Sequence, residues 1–484
     1  MSSQAPELPV LEKEKNESTS SVDKVERDSE AAPEVDPAFE RRTMWKVDLY
    51  VLPVLTFVYS FSLIDRINLG AAYAAGMGKA LGLTVGARYS IVTCMYFVPY
   101  ILLQLPGNLV LRHFGVRNWL TFLTLAWGSV QLGMGFVKSW QGLLATRFML
   151  GVFEAPFFPA LLWLLSSWYK RHELQKRIAA FYLLAVTIGG VSPLLAYGLS
   201  LLEGKHNIAG WRWIFIVEGS ITIGTAVLAF LMLPVFPEQN KFLTKEETAF
   251  VIKRLNEDRG DVTPDEVTFK KVLHHLSDWT IWAYGFMFTC AAMPNYVQSY
   301  FTPLILAGMG YDRKGTLLLS APPYGPAIPL TMAVAYFSDK YKHRSSFIFG
   351  LALMCILGNG LVAWHPNNKV RYLGVFITNA GNSGTIPTVL SYASNNVVGQ
   401  SKRSVQTALT VALGAIGGIL AATCFRAKDA PRYIPGLAAT LGAQGILIIL
   451  LAILTLRHMY WNKRSREGKL AEPLEGQEGF YYTL

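Results

Sequence analysis

Twelve apolar stretches alternate with short polar connectors along the chain, at residues 47–75, 88–110, 117–137, 141–168, 176–202, 211–234, 279–308, 316–338, 345–364, 370–397, 404–425 and 434–457. Each holds about 20 residues or more, enough for a helix rising 1.5 Å per residue to cross a hydrocarbon layer ~30 Å thick. The pattern predicts an all-α membrane protein with twelve transmembrane helices in two pseudo-symmetric six-helix bundles. The divisions are a disordered tail (1–46), a first bundle (47–234), a polar central loop (235–278), a second bundle (279–457) and a second tail (458–484). Six plus six around a central loop places a binding site near the midplane, between the halves.

The polar segments carry signals of their own. Residues 1–40 contain no apolar run, so they read as a disordered tail and not as a cleaved signal peptide, and the sequon at Asn16 is expected to stay unglycosylated. In 241–260, Thr244 followed by Glu247 forms a capping box ahead of an amphipathic helix, whose Phe250, Val251 and Leu255 are expected to pack against the bundle. Glycine and proline interrupt several spans, as at Gly189-Gly190 with Pro193, at Pro322-Pro323, and at Gly414 with Gly417-Gly418.

Composition agrees with the pattern. Of the 484 residues 52% are hydrophobic and 16% charged, where soluble chains carry about a quarter charged residues. The net charge of +11 sits in short clusters between the spans, which argues for membrane topology and against nucleic-acid binding. Arg41-Arg42, the central segment, Lys340 to Arg344, Lys402-Arg403 and the final Lys/Arg-rich stretch fall on one side. The rule that basic loops stay inside then predicts cytoplasmic termini, with Arg426, Lys428 and Arg432 running against it. Cys94, Cys290, Cys355 and Cys424 lack disulfide or zinc spacing. With no Walker loop, metal cluster or catalytic triad pattern, the chain is expected to be neither an enzyme nor an ATP-driven pump, and to need no cofactor.

Within the spans, the ionisable residues carry the chemistry. Arg147 and Glu154 stand seven residues apart, on one helical face with Gly151 between them. Charges inside a span are costly and mark a pathway or site, although an ion pair tying two helices together is the alternative. Asp65-Arg66 closes the first apolar run. It lies either within the span, if the helix continues to about residue 75, or at its edge as an interfacial anchor. Two arginines from two helices could grip a carboxylate bidentately, with a nearby glutamate as proton carrier. Glu218, flanked on its stripe by Ile214 and Ile221, reads as an interhelical contact. Asn295, Tyr296, Gln298, Tyr300, Tyr324, Asn379 and Asn382 could line the other half, or bond helix to helix.

These residues also carry a resemblance. The chain is similar to the major facilitator superfamily, and within it to the fungal anion:cation symporters of the allantoate permease type. The matching runs are Asp65-Arg66-Ile-Asn-Leu-Gly70, Arg147 through Gly151 with Glu154-Ala155, Trp211-Arg212-Trp213 through Glu218-Gly219, Phe236-Pro237, Ser320 through Tyr324, Asn395-Asn396 before Lys402-Arg403, and Phe425 through Pro435. The resemblance implies the major facilitator fold, with Arg66 and Arg147 holding an organic anion and Glu154 serving proton coupling. Asp65 is grouped with Glu154, and Tyr296, Tyr324 and Asn379 with the substrate. It also implies a gate built from Arg112, Asp339 and Arg344. Two departures stand out: Gln104 where relatives more often show Glu, and Tyr392 where they usually place Trp.

The expected activity is proton-coupled symport of a small organic anion of monocarboxylate, vitamin or nitrogen-source type, by alternating access, in a carrier working as a monomer among membrane lipids, in the plasma membrane. A proton-antiport exporter of a secondary metabolite or toxin is the nearest alternative. A non-transporting nutrient receptor is the alternative of another class.

Overall fold

The structure, a computed structural model, describes residues 36–233, 237–260, 269–341, 343–426, 429–470, 472–477 and 479–484. Asn16, Phe236 and Lys428 lie outside them. The unit ending at Leu49 is helical from Pro37, ten residues ahead of the expected first span. Asp36 caps this start through its Oδ1, which accepts from the Ala38 N–H at 3.0 Å, and Pro37 is suited to a first helical position.

Twelve long helical segments, some of them broken, follow one another among the described residues. The first is α1 (Pro37–Ala72), which runs on through a π turn at Tyr73–Met77 to Ala80. Gly76 in that turn has φ 114°, a region that glycine enters without a Cβ clash. Next come α2 (Arg88–Phe114), α3 (Val116–Met134), and α4 (Trp140–Glu154), which breaks at Ala155-Pro156 and resumes as α5 (Phe157–Ser166). The fifth segment is α6 (Arg171–Gly189) with α7 (Ser192–Ser200), and the sixth is α8 (Gly210–Met232). In the central segment stand α9 (Lys245–Gly260) and α10 (Phe269–Leu276). The second set is α11 (Trp279–Gly308), α12 (Arg313–Ser320) with α13 (Tyr324–Tyr341), α14 (Arg344–Trp364), α15 (Asn368–Asn395), α16 (Gln400–Cys424) and α17 (Ile434–Arg466).

Eight of the twelve are long and apolar enough to cross a membrane on length and composition alone. The other four, α2, α3, α11 and α15, carry more polar side chains; α15 holds Thr378, Asn379, Asn382, Ser383, Thr385 and Thr388, most of them buried. Helices that face protein and not lipid can afford that polarity.

Small residues set the spacing between helices. A Cβ on Gly151 would stand 2.2 Å from the Tyr96 carbonyl oxygen, so α4 lies backbone to backbone on α2. Gly358 and Gly374 do the same for α14 and α15, where each added Cβ would stand 2.7 Å from the other residue's carbonyl oxygen. Proline is accommodated by a neighbour: Pro294 leaves the Cys290 carbonyl without its usual donor, and the Gln444 amide of α17 supplies one at 2.9 Å.

Several expectations are met and several corrected. The breaks at Gly190 and at Pro322-Pro323 are present, but α16 runs unbroken through Gly414, Gly417 and Gly418. There the glycines serve close packing, and a Cβ on Gly418 would strike the Phe97 ring at 2.2 Å. Thr244 and Glu247 form the reciprocal capping box of α9, at 3.0 and 3.2 Å, and Val251 and Leu255 are buried. The last helix continues nine residues past the expected end at 457, and the chain after it is packed against protein.

The two sets of helices meet from the middle of the bundle toward the end opposite α17's C-terminus. The Tyr89 hydroxyl donates to the Tyr300 carbonyl at 3.1 Å, and Ser90 to the Phe425 carbonyl at 3.2 Å. Phe97 packs edge-on against Tyr296, and Glu203 pairs with Arg313 at 2.7 Å.

Candidate functional site

Because α1 does not stop at Ile64, Asp65 and Arg66 stand inside a continuous helix, with Arg66 only 13% exposed. The Arg66 guanidinium forms an ion pair with the Glu154 carboxylate, across from α4. Ser62, one turn earlier on α1, donates to the same Glu154 oxygen at 2.5 Å. Arg66 also lies over the rings of Tyr96 and Tyr100 on α2, at 5.5 and 5.6 Å. Desolvated cation–π contacts of this kind hold a guanidinium while leaving its edges open to a ligand. Tyr296, from α11, is among the groups acting on the Arg66 charge and packs beside Tyr300 in a stacked pair 6.3 Å apart.

Arg147 is fully buried, and among the described residues none of its three guanidinium nitrogens has a hydrogen-bond partner. The groups around its charge are the phenols of Tyr300, Tyr89 and Tyr96, and Glu154. The Tyr96 and Tyr300 hydroxyls and Glu154 Oε2 are themselves buried without hydrogen-bond partners among the described residues. Burying a guanidinium with five idle N–H groups costs several kcal/mol unless something pairs with it. The cluster of Arg66, Arg147 and Glu154 carries two positive charges and one negative. One positive charge is left for an anionic ligand, next to unused donors.

The remaining candidate residues make no hydrogen bond to this cluster among the described residues, although Asp65 lies within electrostatic reach of Glu154 and Arg147. Asp65 points into the first set of helices, where its Oδ2 accepts from the Trp127 indole at 3.2 Å and the Thr222 hydroxyl at 3.0 Å. Glu218, one turn before Thr222, is fully buried and makes no hydrogen bond among the described residues; Asp65 on α1 is the charged group that acts on it from another helix. Tyr324 packs against Gly190, and Asn379 accepts from Ser383 at 3.2 Å. Neither touches Arg66, Arg147 or Glu154 among the described residues. Asp339 pairs with Arg344 at 2.5 Å at the start of α14. The Arg112 side chain lies outside the described residues. Tyr392 is buried far from the arginines, with its hydroxyl 3.1 Å from His458 Nδ1.

Sequence reasoning passes over Ser62, Tyr96 and Tyr100. A signal is present in part: Ser62 is one turn from Arg66, and Tyr96, Tyr100 and Gln104 share one stripe of α2. Tyrosines in mid-span, away from the interfacial belts where they usually collect, point to a polar or charged partner inside the bundle.

Comparison with known proteins gives the family. The profile of the Major Facilitator Superfamily matches residues 55–422, and the chain belongs to that superfamily. An uncharacterized transporter of Schizosaccharomyces pombe is 30% identical over 440 residues, covering 90% of this chain and 85% of that protein. A major facilitator-type transporter of Emericella nidulans is 32% identical, covering 92% and 90%. The high-affinity nicotinic acid transporter of Saccharomyces cerevisiae is 28% identical, covering 92% and 82%. Among solved structures, a bacterial homolog of the human lysosomal transporter Spinster, inward-facing and unoccupied, aligns with a TM-score of 0.62 at 16% identity, over 87% of this chain and 97% of that one. The chain is therefore a multi-pass membrane transporter with the all-helical major facilitator fold, and not an enzyme.

Proposed function

We propose that this superfamily member is a proton-coupled symporter of a small organic anion, a monocarboxylate of vitamin or nitrogen-source type, as in the allantoate permease branch of fungal anion:cation symporters. The observation that carries the reading is Arg147: a buried guanidinium with every nitrogen unpartnered among the described residues, two turns from a glutamate already paired to a second arginine. The relationship to a nicotinic acid transporter supports an organic anion as substrate.

The mechanism follows from competition for Arg66. In the state described, Glu154 is held by Arg66 and Ser62. A substrate carboxylate arriving between Arg66 and Arg147 takes over the Arg66 donors. Glu154, deprived of its cation in a dry site, is then best accommodated by taking up a proton. Substrate and proton thus bind together, and each raises the affinity for the other. With both bound the cluster keeps the charge it had empty, since the anion and the proton cancel, so reorientation is not opposed by a new buried charge. Tyr296 brings the second set of helices to the same ligand, Tyr324 and Asn379 line its approach, and Asp65 is a second proton-accepting carboxylate beside the clasp. Arg112, Asp339 and Arg344 gate the cytoplasmic side of a monomer in the plasma membrane, with both termini cytoplasmic.

The test is uptake into proteoliposomes of a panel of labelled monocarboxylates, nicotinate included, with and without an inward proton gradient. Wild type should concentrate one of them. Glu154→Gln should still exchange it but no longer concentrate it. Equal accumulation by Glu154→Gln would remove the coupling role.

A further inference from the structure

The chain after α17 binds back onto the protein in a way that reads backbone. Asn462, on α17, donates to the Tyr482 carbonyl at 2.8 Å and accepts from the Tyr482 N–H at 2.9 Å. Asn396, at the end of α15, repeats the pattern on the next residue, accepting from the Thr483 N–H at 2.7 Å and donating to its carbonyl at 3.1 Å. Each amide thus replaces a neighbouring strand for one residue, as in recognition of extended peptides. Side chains add the anchors. The Tyr482 ring stacks on His458 at 4.5 Å, and its hydroxyl donates to Glu475 at 2.8 Å. Leu474 is buried, and Glu475 pairs with Lys402 at 2.7 Å.

The placement of these anchors is what matters. Lys402, on the first turn of α16, is shared between Glu475 and Asp278, the N-cap of α11, at 2.7 and 2.8 Å. His458 is itself held by Tyr284 of α11 and Tyr392 of α15, both at 3.1 Å. The segment therefore joins the near ends of α11, α15, α16 and α17. Two of these, α11 and α16, are the helices whose far ends close on the first set: Tyr300 of α11 accepts from Tyr89, and Gly418 of α16 lies against Phe97. Clamping a helix pair at one end opposes its rearrangement at the other.

We propose that residues 472–484 form a releasable strap in a peptide-docking groove built by Asn396, Asn462, His458 and Lys402, and that the docked strap stabilises the arrangement closed at the far end. Its occupant is this chain's own segment. The grip is to backbone atoms and to three side-chain anchors, Tyr482, Leu474 and Glu475, so it can be undone without unfolding any helix. The inference does not depend on which anion or ion is carried.

Hydrogen–deuterium exchange in lipid nanodiscs tests it without a substrate. The full chain is compared with a chain ending at Leu470, and with the full-length double variant Asn396→Ala/Asn462→Ala, which keeps the segment but removes its backbone bonds. Losing the strap should speed exchange at residues 85–94 and around Phe425 on the order of tenfold, the effect of one decade in the opening equilibrium. Exchange in α3 and α8 should stay unchanged, which reports an intact fold. A synthetic peptide of residues 472–484 added to the shortened chain should restore the protection. Unchanged far-end exchange in both altered chains, or no effect of the peptide on a faster-exchanging shortened chain, would overturn the proposal.

Discussion

Arg66 and Glu154, 88 residues apart in the chain, are ion-paired in the middle of the helix bundle. Under the proposed function, that pairing gives the two arginines different jobs. Arg66 is occupied by Glu154, whereas the Arg147 donors have no hydrogen-bond partner among the described residues and are the ones a ligand would meet first.

Substituting Arg147 should therefore cost affinity first. Arg147→Lys keeps the charge and loses the fork, so the apparent KM for the carried anion should rise about 10- to 100-fold, the size of one charge-assisted hydrogen bond of ~1.5–3 kcal/mol. Relief of an unpaired buried cation should meanwhile leave Arg147→Met as stable as wild type or more so in a thermal melt. A strongly destabilised Arg147→Met would mean that Arg147 is a structural tie and not a ligand group.

The Asp65 position separates a coupling role from a structural one. Asp65→Asn retains an oxygen able to accept from Thr222 and Trp127, so folding should survive. If Asp65 contributes a proton, gradient-driven uptake should fall while exchange persists. Unaltered accumulation, measured in the same vesicles as the Glu154→Gln variant, would leave Asp65 as a bundle contact.

Gly151 holds α4 against α2. Alanine there places a methyl 2.2 Å from the Tyr96 carbonyl oxygen and 2.8 Å from Pro99, neither of them the end of a flexible side chain. The helices must separate, at a cost of ~1–3 kcal/mol as for other overpacked sites. A melt in detergent should show it as a lower midpoint, and uptake should fall too because Tyr96 shifts under Arg66.

How much of this is legible in the chain depends on which kind of signal each feature leaves. The spans are legible because lipid demands long apolar runs, and the α9 cap because Thr244 and Glu247 sit three residues apart. The site is legible only as a set of charges. Spacing along one helix puts Arg147 and Glu154 on one face, but no spacing rule pairs Arg66 with Glu154 instead of with the ligand. Ser62, Tyr96 and Tyr100 are ordinary span residues until α1, α2 and α4 are brought together. The strap is invisible, because Asn396 and Asn462 read its backbone and leave no pattern in residues 472–484. Tyr392 reads in the sequence only as a departure from the Trp that relatives usually place there, and its hydroxyl holds His458 beneath the strap.

The proposed gate pair, Asp339 and Arg344, gives the last test. Asp339 is 66% exposed while Arg344 is 10% exposed, so their ion pair is largely screened and should contribute no more than ~1 kcal/mol to stability. Asp339→Asn should then leave the thermal midpoint nearly unchanged. A gate works through the difference between two states, however, and a pair present in only one of them changes their populations by its full strength, about fivefold for ~1 kcal/mol. Uptake should therefore slow by a few-fold at constant stability, and the charge-reversed pair Asp339→Arg/Arg344→Asp should recover part of the rate. A variant with normal uptake would show that the pair only caps the start of α14, and one with a large loss of stability would show that the pair is worth more to the fold than its exposure allows.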